Sequence, residues 1–395
     1  MFILASQYGS ARNVEGDDMS GLNIFFNAQK YLTDCVRDSL ASLDLEQLKN
    51  LFSILIEGRS HNIIVDGQGR SLQSILLVED CLEHNGFPII LPAANAALRP
   101  WDRNDIFFFN SGSASGSPIA HAQAAKKDGL RVIGMTYNAD ILEEFPDVLI
   151  LEPSKSKNPL YAPLGTEFEI SSAVLGACIG YSVRETVSES IEDFQQAAQK
   201  IVDLFDNARA YYEENLEMLM SFIGLISTYI KADSKNYVYF RGVGRDAIIN
   251  SVAAIRYGHL RKEPDKDLRV IYEGHWDLRK EGDLVIITSG SGSTPQTMDY
   301  ALQSFVSGMH IFGITSFGDS DLGRFTKRCD GCLVVPGRKD PFSMYNMVGT
   351  QRKNYLPEFE LNVYITLDSL LSQIASNHGI TEDDMRKSHR LKALE

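Results

Sequence analysis

The sequence predicts an α/β fold made of two tandem doubly wound domains, each a three-layer α/β/α arrangement around a parallel sheet. Short, almost continuously apolar segments of strand length alternate with longer amphipathic segments, which is typical of parallel βαβ units covered on both faces. This pattern occurs twice along the 395 residues. With 44% hydrophobic and 23% charged residues, a chain of this length can bury two ordinary cores.

An internal repeat relates the two halves. The apolar segment 62–66 leads into Gly67-Gln68-Gly69-Arg70-Ser71, and 175 residues later the segment 237–241 leads into Gly242-Val243-Gly244-Arg245-Asp246. Segment 105–110 before Ser111-Gly112-Ser113 likewise matches segment 283–288 before Ser289-Gly290-Ser291. Segments 130–136 and 309–315 are matched third strands, each preceded by a glycine that ends a helix-like stretch. We therefore predict a first domain over 21–183 and a second over 187–395.

Composition excludes several classes of function. The 38 basic and 52 acidic residues give a net charge of −14, which disfavours a nucleic-acid partner. The apolar start of the chain is shorter than a signal segment or a membrane span, so we expect a cytoplasmic protein without a membrane partner. Five cysteines do not indicate a disulfide framework, and a single CxxC, Cys329 to Cys332, supplies half of a zinc site. We predict no metal and no cofactor.

The segment Ser289-Gly290-Ser291-Gly292-Ser293-Thr294 follows a predicted strand and precedes a predicted helix. Its glycines allow close approach, and its free N–H groups and hydroxyls at a helix N-terminus are suited to an anion. The segment lacks the lysine of a nucleotide P-loop. A phosphate monoester is therefore the predicted ligand.

Taken together, the motifs resemble the sugar isomerase (SIS) domain family, and within it most closely the 6-phospho-3-hexuloisomerase-like phosphosugar isomerases. The matching segments are Gly67-Gln68-Gly69-Arg70-Ser71, His84-Asn85-Gly86-Phe87, Pro163-Leu164-Gly165-Thr166-Glu167-Phe168-Glu169, Gly282-Asp283-Leu284-Val285, the Ser289 segment and Met385-Arg386-Lys387-Ser388-His389. They cover most of both halves. The family includes isomerases, amino-sugar enzymes and non-catalytic sensors.

The resemblance implies roles for particular residues. Phosphate binding is implied for Ser289, Ser291, Ser293 and Thr294, and for Ser111 and Ser113 of the first half. Sugar binding is implied for Gly69, Arg70 and Ser71, and for Gly244 and Arg245 of the second half. The candidates for proton transfer are Glu169, Glu360, His84, His259 and His389. Family members place their sites between paired domains, so we expect the tandem chain to act as a covalent pseudo-dimer.

The predicted activity is a metal-independent phosphosugar isomerase of the aldose–ketose or ketose–ketose type. Moving a carbonyl requires a base that takes a proton from the adjacent carbon, and a carboxylate suits that task. An amino-sugar phosphate deaminase or deglycase, and a non-catalytic sugar-phosphate sensor, stay open as alternatives. The expected partners are a small sugar phosphate and a second copy of the chain, in a homodimer or larger homo-oligomer.

The two halves depart from the family pattern in different places. Ala114 stands where the first-half loop should have glycine, and Asp246 stands where the second half should have serine. A carboxylate at Asp246 would repel a phosphate. Ser293 replaces a glutamate of the hexuloisomerase-like pattern, and the second half lacks the PLGT segment. The most complete predicted site uses the second-half loop, and the long segments 152–163 and 336–357 are predicted binding loops.

Overall fold

The computed structural model describes residues 21–90, 102–152, 158–230, 235–262, 270–271, 276–340 and 355–392. The described elements of the first half are α1 (Asn23–Ser42), α2 (Leu45–Glu57), β1 (Ile63–Gly67), α3 (Arg70–His84), β2 (Ile89–Ile90), β3 (Ile106–Asn110), α4 (Ser117–Lys127), β4 (Arg131–Thr136), β5 (Val148–Ile150) and α5 (Thr166–Ser182). Short 3₁₀ helices cover Ala139–Glu143 and Pro163–Gly165. Parts of both predicted binding loops, 153–157 and 341–354, lie outside the described residues.

The second half repeats this order. Its described elements are α6 (Val187–Glu213), α7 (Leu216–Ile230), β6 (Val238–Arg241), α8 (Arg245–Tyr257), β7 (Val270–Ile271), β8 (Leu284–Thr288), α9 (Pro295–Val306), β9 (His310–Thr315), α10 (Asp321–Thr326), β10 (Gly331–Val334), α11 (Glu358–Asn377) and α12 (Glu382–Lys392), with a 3₁₀ helix over Trp276–Leu278. The end of α5 and the start of α6 flank the predicted joint. The domain boundaries themselves stay a prediction.

Each half forms a five-stranded parallel sheet with the same topology. The strand orders are β2-β1-β3-β4-β5 and β7-β6-β8-β9-β10, and every described pairing is parallel. From the first strand the chain moves to one side for the second strand and to the other side for the third. Such a reversal creates a crevice at the carboxyl edge, where ligands bind in open α/β sheets. The predicted fold class is confirmed.

Alternating strand residues separate the two helical layers of each half. In the first half, Phe107 and Phe109 pack with Ile119 and Ala122 of α4 on the outer face. Phe108, one residue between them, joins the much larger inner cluster. Near-continuous apolar strands are required because both faces of a parallel sheet are buried.

The inner layer is shared by both halves. One hydrophobic cluster contains Val65 and Phe108 of the first sheet, Phe240 and Ile286 of the second, and apolar residues of the helices between them. Every residue of α11 from Phe359 to Ala375 is buried. A helix that is apolar or enclosed on all sides belongs to the centre of a protein. The two sheets therefore face one common core.

Three further observations on the described residues concern membrane-spanning helices, metal-binding clusters and disulfide bonds. None of their helices is both long and apolar enough to cross a membrane. No group of three or more histidine, cysteine, aspartate or glutamate residues within them is arranged to hold a metal ion. All five cysteines are free thiols. Cys332 lies in β10, as expected for a strand residue.

Candidate functional site

In both halves the glycine-rich turn after the first strand opens the crevice. Gly69 and Gly244 precede α3 and α8 with φ values of +59° and +61°. A Cβ placed on either glycine would have no heavy atom within 4 Å. The requirement for glycine therefore comes from the left-handed backbone, and the space beside each turn is open to a ligand.

The second-half loop presents three converging hydroxyls. Thr294 Oγ1 lies 3.2 Å from Ser289 Oγ and 3.3 Å from Ser291 Oγ, immediately before α9. The backbone N–H of Ser293 donates to Ser291 Oγ over 3.3 Å, and Gly292 has φ +66°. Neutral donors at the start of a twelve-residue helix are a favourable environment for an anion. The structure thus brings all four predicted phosphate ligands of this loop together.

The first-half loop keeps the same turn despite Ala114. This residue has φ +48°, and its N–H donates to Ser111 O over 3.2 Å, as the Gly292 N–H donates to Ser289 O over 3.0 Å. A left-handed alanine costs about 1 kcal/mol relative to glycine. Ser113 Oγ lies 2.6 Å from Ser115 Oγ, a hydroxyl that the sequence analysis did not single out. The first loop therefore retains the shape of an anion site.

Glu169 lies on the first turns of α5, beside the first-half loop. Its neighbour Phe168 packs against the loop, since a Cβ on Gly112 would lie 3.0 Å from the Phe168 ring. The Ser71 hydroxyl donates to Glu169 Oε1 over 3.0 Å, and Oε2 is buried with no hydrogen-bond partner among the described residues. Burial raises the pKa of Glu169 above its ordinary value, while Arg70 and the Ser71 hydrogen bond act to lower it. Such a carboxyl is suited to exchange a proton.

Glu360 occupies the matching place in the second half but has a different partner. Its Oε1 accepts a hydrogen bond from Arg338 Nη2 over 2.7 Å, and its buried Oε2 has no partner among the described residues. Asp246 replaces the serine of the first half and accepts weakly from the Gly290 N–H over 3.4 Å. Burial first, and then the Glu360 charge, raises the pKa of Asp246 well above its ordinary value. Burial thus shifts Asp246 toward its neutral form, which lessens the repulsion of phosphate that the sequence predicts.

Arg70 and Arg245 each hold the segment before a glutamate-bearing helix. Arg70 donates to Leu164 O over 2.9 Å, and Arg245 donates to Tyr355 O over 2.8 Å. Arg70 also donates to Thr166 Oγ1 over 2.8 Å, at the start of α5. Both guanidinium groups are buried, so their contacts fix the backbone that positions the glutamates.

The three candidate histidines lie in different environments. His84, at the end of α3, donates through Nδ1 to Asp80 O over 2.6 Å, and its ring centroid lies 6.2 Å from that of Tyr355 in the second half. The Asp80 carboxylate, whose Oδ2 lies 3.1 Å from Nδ1, raises the pKa of His84 through a side-chain hydrogen bond. His259 is buried just beyond the end of α8. His389 lies within α12, and its side chain is outside the described residues.

Each candidate site receives residues from the other half. Asp80 of α3 forms an ion pair with Arg245 of α8. In the opposite direction, Asp368 of α11 lies 3.7 Å from Arg70 and 3.8 Å from the fully buried Arg256. The Leu164 N–H donates to Glu382 of α12 over 2.9 Å. These contacts join the two halves beside the candidate sites, and a site shared between them stays a prediction.

Sequence reasoning missed four residues that the structure places at or beside the sites. They are Arg338, Tyr355, Asp80 and Asp368. Arg338 and Tyr355 belong to the loop 336–357, which was predicted to bind a ligand without any residue being named. A basic residue after Gly337 in that loop was the available signal. Asp80 and Asp368 lie within helices and carried no local signal.

Sequence comparison finds relatives of about half the length of this chain. No family model matches it. An uncharacterized protein from Aeropyrum pernix is 30% identical over 162 residues, which are 39% of this chain and 73% of the relative. A protein of Methylomonas aminofaciens named 3-hexulose-6-phosphate isomerase is 22% identical over 190 residues, 48% of this chain and 92% of the relative. Each alignment has the length of one of the two repeats.

Solved structures match both halves at once. The tagatose-6-phosphate ketose/aldose isomerase from Escherichia coli has a TM-score of 0.62 at 11% identity, covering 92% of this chain and 95% of its own. The glucosamine-6-phosphate deaminase from Thermotoga maritima has a TM-score of 0.53 at 14% identity, covering 92% and 96%. The order of both sheets and the two glycine-rich turns agree with this likeness. The two halves of the chain thus carry the SIS-type fold of these solved structures.

Proposed function

We propose that this protein is a phosphosugar isomerase that moves a carbonyl along a sugar phosphate through an enediolate. One observation carries the proposal. In each half, a loop of converging hydroxyls at the carboxyl edge of the sheet lies beside a glutamate with one buried, unpartnered oxygen among the described residues. The loop supplies binding energy remote from the reacting carbons, and the glutamate supplies the base.

The residues of the first half divide the work of the reaction. The loop from Ser111 to Ser115 binds the phosphate and fixes the sugar. Glu169 takes the proton from the carbon beside the carbonyl, which leaves an enediolate, and returns it to the former carbonyl carbon. The hydroxyl proton passes from one oxygen of the enediolate to the other, so that the carbonyl moves by one carbon. Ser71 holds Glu169 Oε1, which leaves Oε2 as the oxygen without a hydrogen-bond partner among the described residues. Substrate and product have the same composition, so no co-reactant is consumed.

The second half favours one further candidate, release of ammonia from an amino-sugar phosphate. Asp246 Oδ1 and Glu360 Oε2 are both buried and lack hydrogen-bond partners among the described residues. Two such acceptors suit an ammonium group, which offers three donors. The structural likeness to a glucosamine-6-phosphate deaminase agrees with this candidate.

Proton exchange in deuterated water tests the proposal. Proton NMR of fructose 6-phosphate and a panel of aldose and ketose phosphates would follow deuterium entering the carbon beside the carbonyl. We expect exchange with at least one sugar, reduced at least a hundredfold in the Glu169→Gln, Glu360→Gln double variant, because general-base catalysis contributes about 10²–10⁴-fold. Ammonia release from glucosamine 6-phosphate would identify the second candidate. Binding without exchange or ammonia release would refute catalysis and identify a sensor.

A further inference from the structure

Arg338 lies directly against the second-half phosphate loop. A Cβ placed on Gly290 would lie 2.6 Å from Arg338 Nε, so the guanidinium covers this part of the loop. The backbone N–H of Arg338 donates to Ser316 Oγ over 3.1 Å, which fixes the position of the residue after β10. A cation therefore lies against Gly290, the residue between Ser289 and Ser291 in the loop.

The guanidinium is held between two opposing surfaces. One is the ring of Tyr355, whose centroid lies 5.0 Å from Arg338 and 4.1 Å from Arg245. The other is the carboxylate of Glu360, which accepts from Arg338 Nη2 over 2.7 Å. Arg245 has its own counter-charge in Asp80. Without a ligand, the positive charge of Arg338 is thus balanced by the glutamate that we propose as the base.

A sugar phosphate entering this loop changes that balance. The loop offers only neutral donors, whereas a phosphate dianion is bound best by a guanidinium, which matches its geometry with two parallel hydrogen bonds. Two buried carboxyl oxygens, Asp246 Oδ1 and Glu360 Oε2, have no hydrogen-bond partner among the described residues and await donors such as sugar hydroxyls. The site is therefore built for a ligand that carries both a phosphate and hydroxyl groups.

We propose that Arg338 is the cationic ligand of the substrate phosphate in the second half, and that it leaves Glu360 for the phosphate when the substrate binds. This inference rests on the proposed function, because it takes a sugar phosphate as the ligand. Release from Arg338 frees Glu360 Oε1 and turns an ion-paired carboxylate into an available base. In the first half Glu169 is held by a serine hydroxyl instead, so only the second site is switched on by phosphate.

Titration with inorganic phosphate by calorimetry tests this assignment without any turnover. All proteins carry Ser113→Ala and Ser115→Ala, which remove hydroxyls from the first-half loop. Arg338→Gln should weaken phosphate binding at least tenfold, and Arg338→Lys should restore part of the loss. The matched control is Arg324→Gln, since Arg324 is 61% exposed and paired with Asp321 on the surface. It removes the same charge and should change the affinity by less than twofold.

Glu360→Gln provides the decisive comparison. Freed from its carboxylate, Arg338 should bind phosphate several-fold more tightly, and this gain should shrink when Arg338→Gln is also present. Three results would each overturn the inference. The first is a phosphate affinity of Arg338→Gln within twofold of the parent, and the second is a gain from Glu360→Gln that is the same with and without Arg338. The third is absence of phosphate binding in the parent. Failure of deuterium exchange with intact phosphate binding would instead refute the isomerase proposal alone. Circular dichroism of each variant verifies folding.

Discussion

Replacing Asp368 by asparagine tests the contact that joins the two halves. Asp368 is 2% exposed and lies 3.7 Å from Arg70 of the first half and 3.8 Å from Arg256 of the second. Burial lowers the pKa of Arg256 to about 10, so this group is still charged at pH 7. Asparagine keeps the volume of the side chain but leaves two buried cations without their counter-ion. Such a loss costs about 3–5 kcal/mol of unfolding free energy.

Urea unfolding followed by far-UV circular dichroism at pH 7 measures this loss. The control is Asp321→Asn, because Asp321 is 58% exposed and pairs with an exposed arginine, a contact worth about 0–1 kcal/mol. A loss below about 1 kcal/mol for Asp368→Asn, or equal losses for both variants, would refute the role of Asp368 in joining the halves. The Asp368 charge also raises the pKa of Glu169. The acid limb of the exchange rate should therefore move to lower pH in Asp368→Asn.

Three further predictions concern the carboxyls and the helix packing. Ser71→Ala removes a hydrogen bond that lowers the pKa of Glu169. The rate of deuterium exchange at acidic pH should therefore fall about tenfold, which corresponds to about 1.4 kcal/mol. An unchanged exchange rate at pH 5 would contradict this prediction. Burial raises the pKa of Glu79 to about 8. The stability that the protonated Glu79 contributes is therefore complete below its ordinary pKa and is lost as the pH rises through 8. In urea unfolding, Glu79→Gln should be more stable than wild type by about 1–3 kcal/mol at pH 9 and equally stable at pH 4. Gly180→Ala should lower the free energy of unfolding by about 1–3 kcal/mol, because the new Cβ would lie 2.7 Å from a main-chain oxygen of α3. The control is Gly224→Ala, whose Cβ would have no heavy atom within 4 Å and which should be neutral or stabilising in thermal unfolding.

The sequence patterns were sufficient for the three central strands of each sheet and for the position of the loops, whereas the edge strands β2, β5 and β7 were not predicted. An apolar segment followed by glycine and serine predicts β3 and β8 and the start of the helix after each of them. The repeat shows the same order in both halves. Because β1 and β3 are adjacent and parallel, the loops that follow them bring Gly69 and Ser111 to the same carboxyl edge of the sheet. These features follow from local periodicity and chain connectivity, which a sequence records directly.

The charges around the sites were not predictable in the same way. In the sequence Asp246 is simply a carboxylate that would repel phosphate, and only the structure shows the burial beside Glu360 that raises its pKa. Arg338 lies in a loop without periodicity, and its contact with Glu360 depends on how that loop folds back over Gly290. His84 and His259 occupy equal positions in the repeat, but their surroundings differ, since the His84 ring lies beside that of Tyr355 whereas His259 is buried.

Contacts from both halves fix the turn that precedes α5. Arg70 holds the carbonyl of Leu164 in the first half, while Glu382 of the second half accepts from its N–H, so this left-handed residue with φ +61° is fixed from both sides. A left-handed leucine is strained and persists only where its surroundings determine it. The turn sets the start of α5 and hence the position of Glu169. The position of Glu169, the proposed base of the first half, is therefore set in part by a residue of the second half.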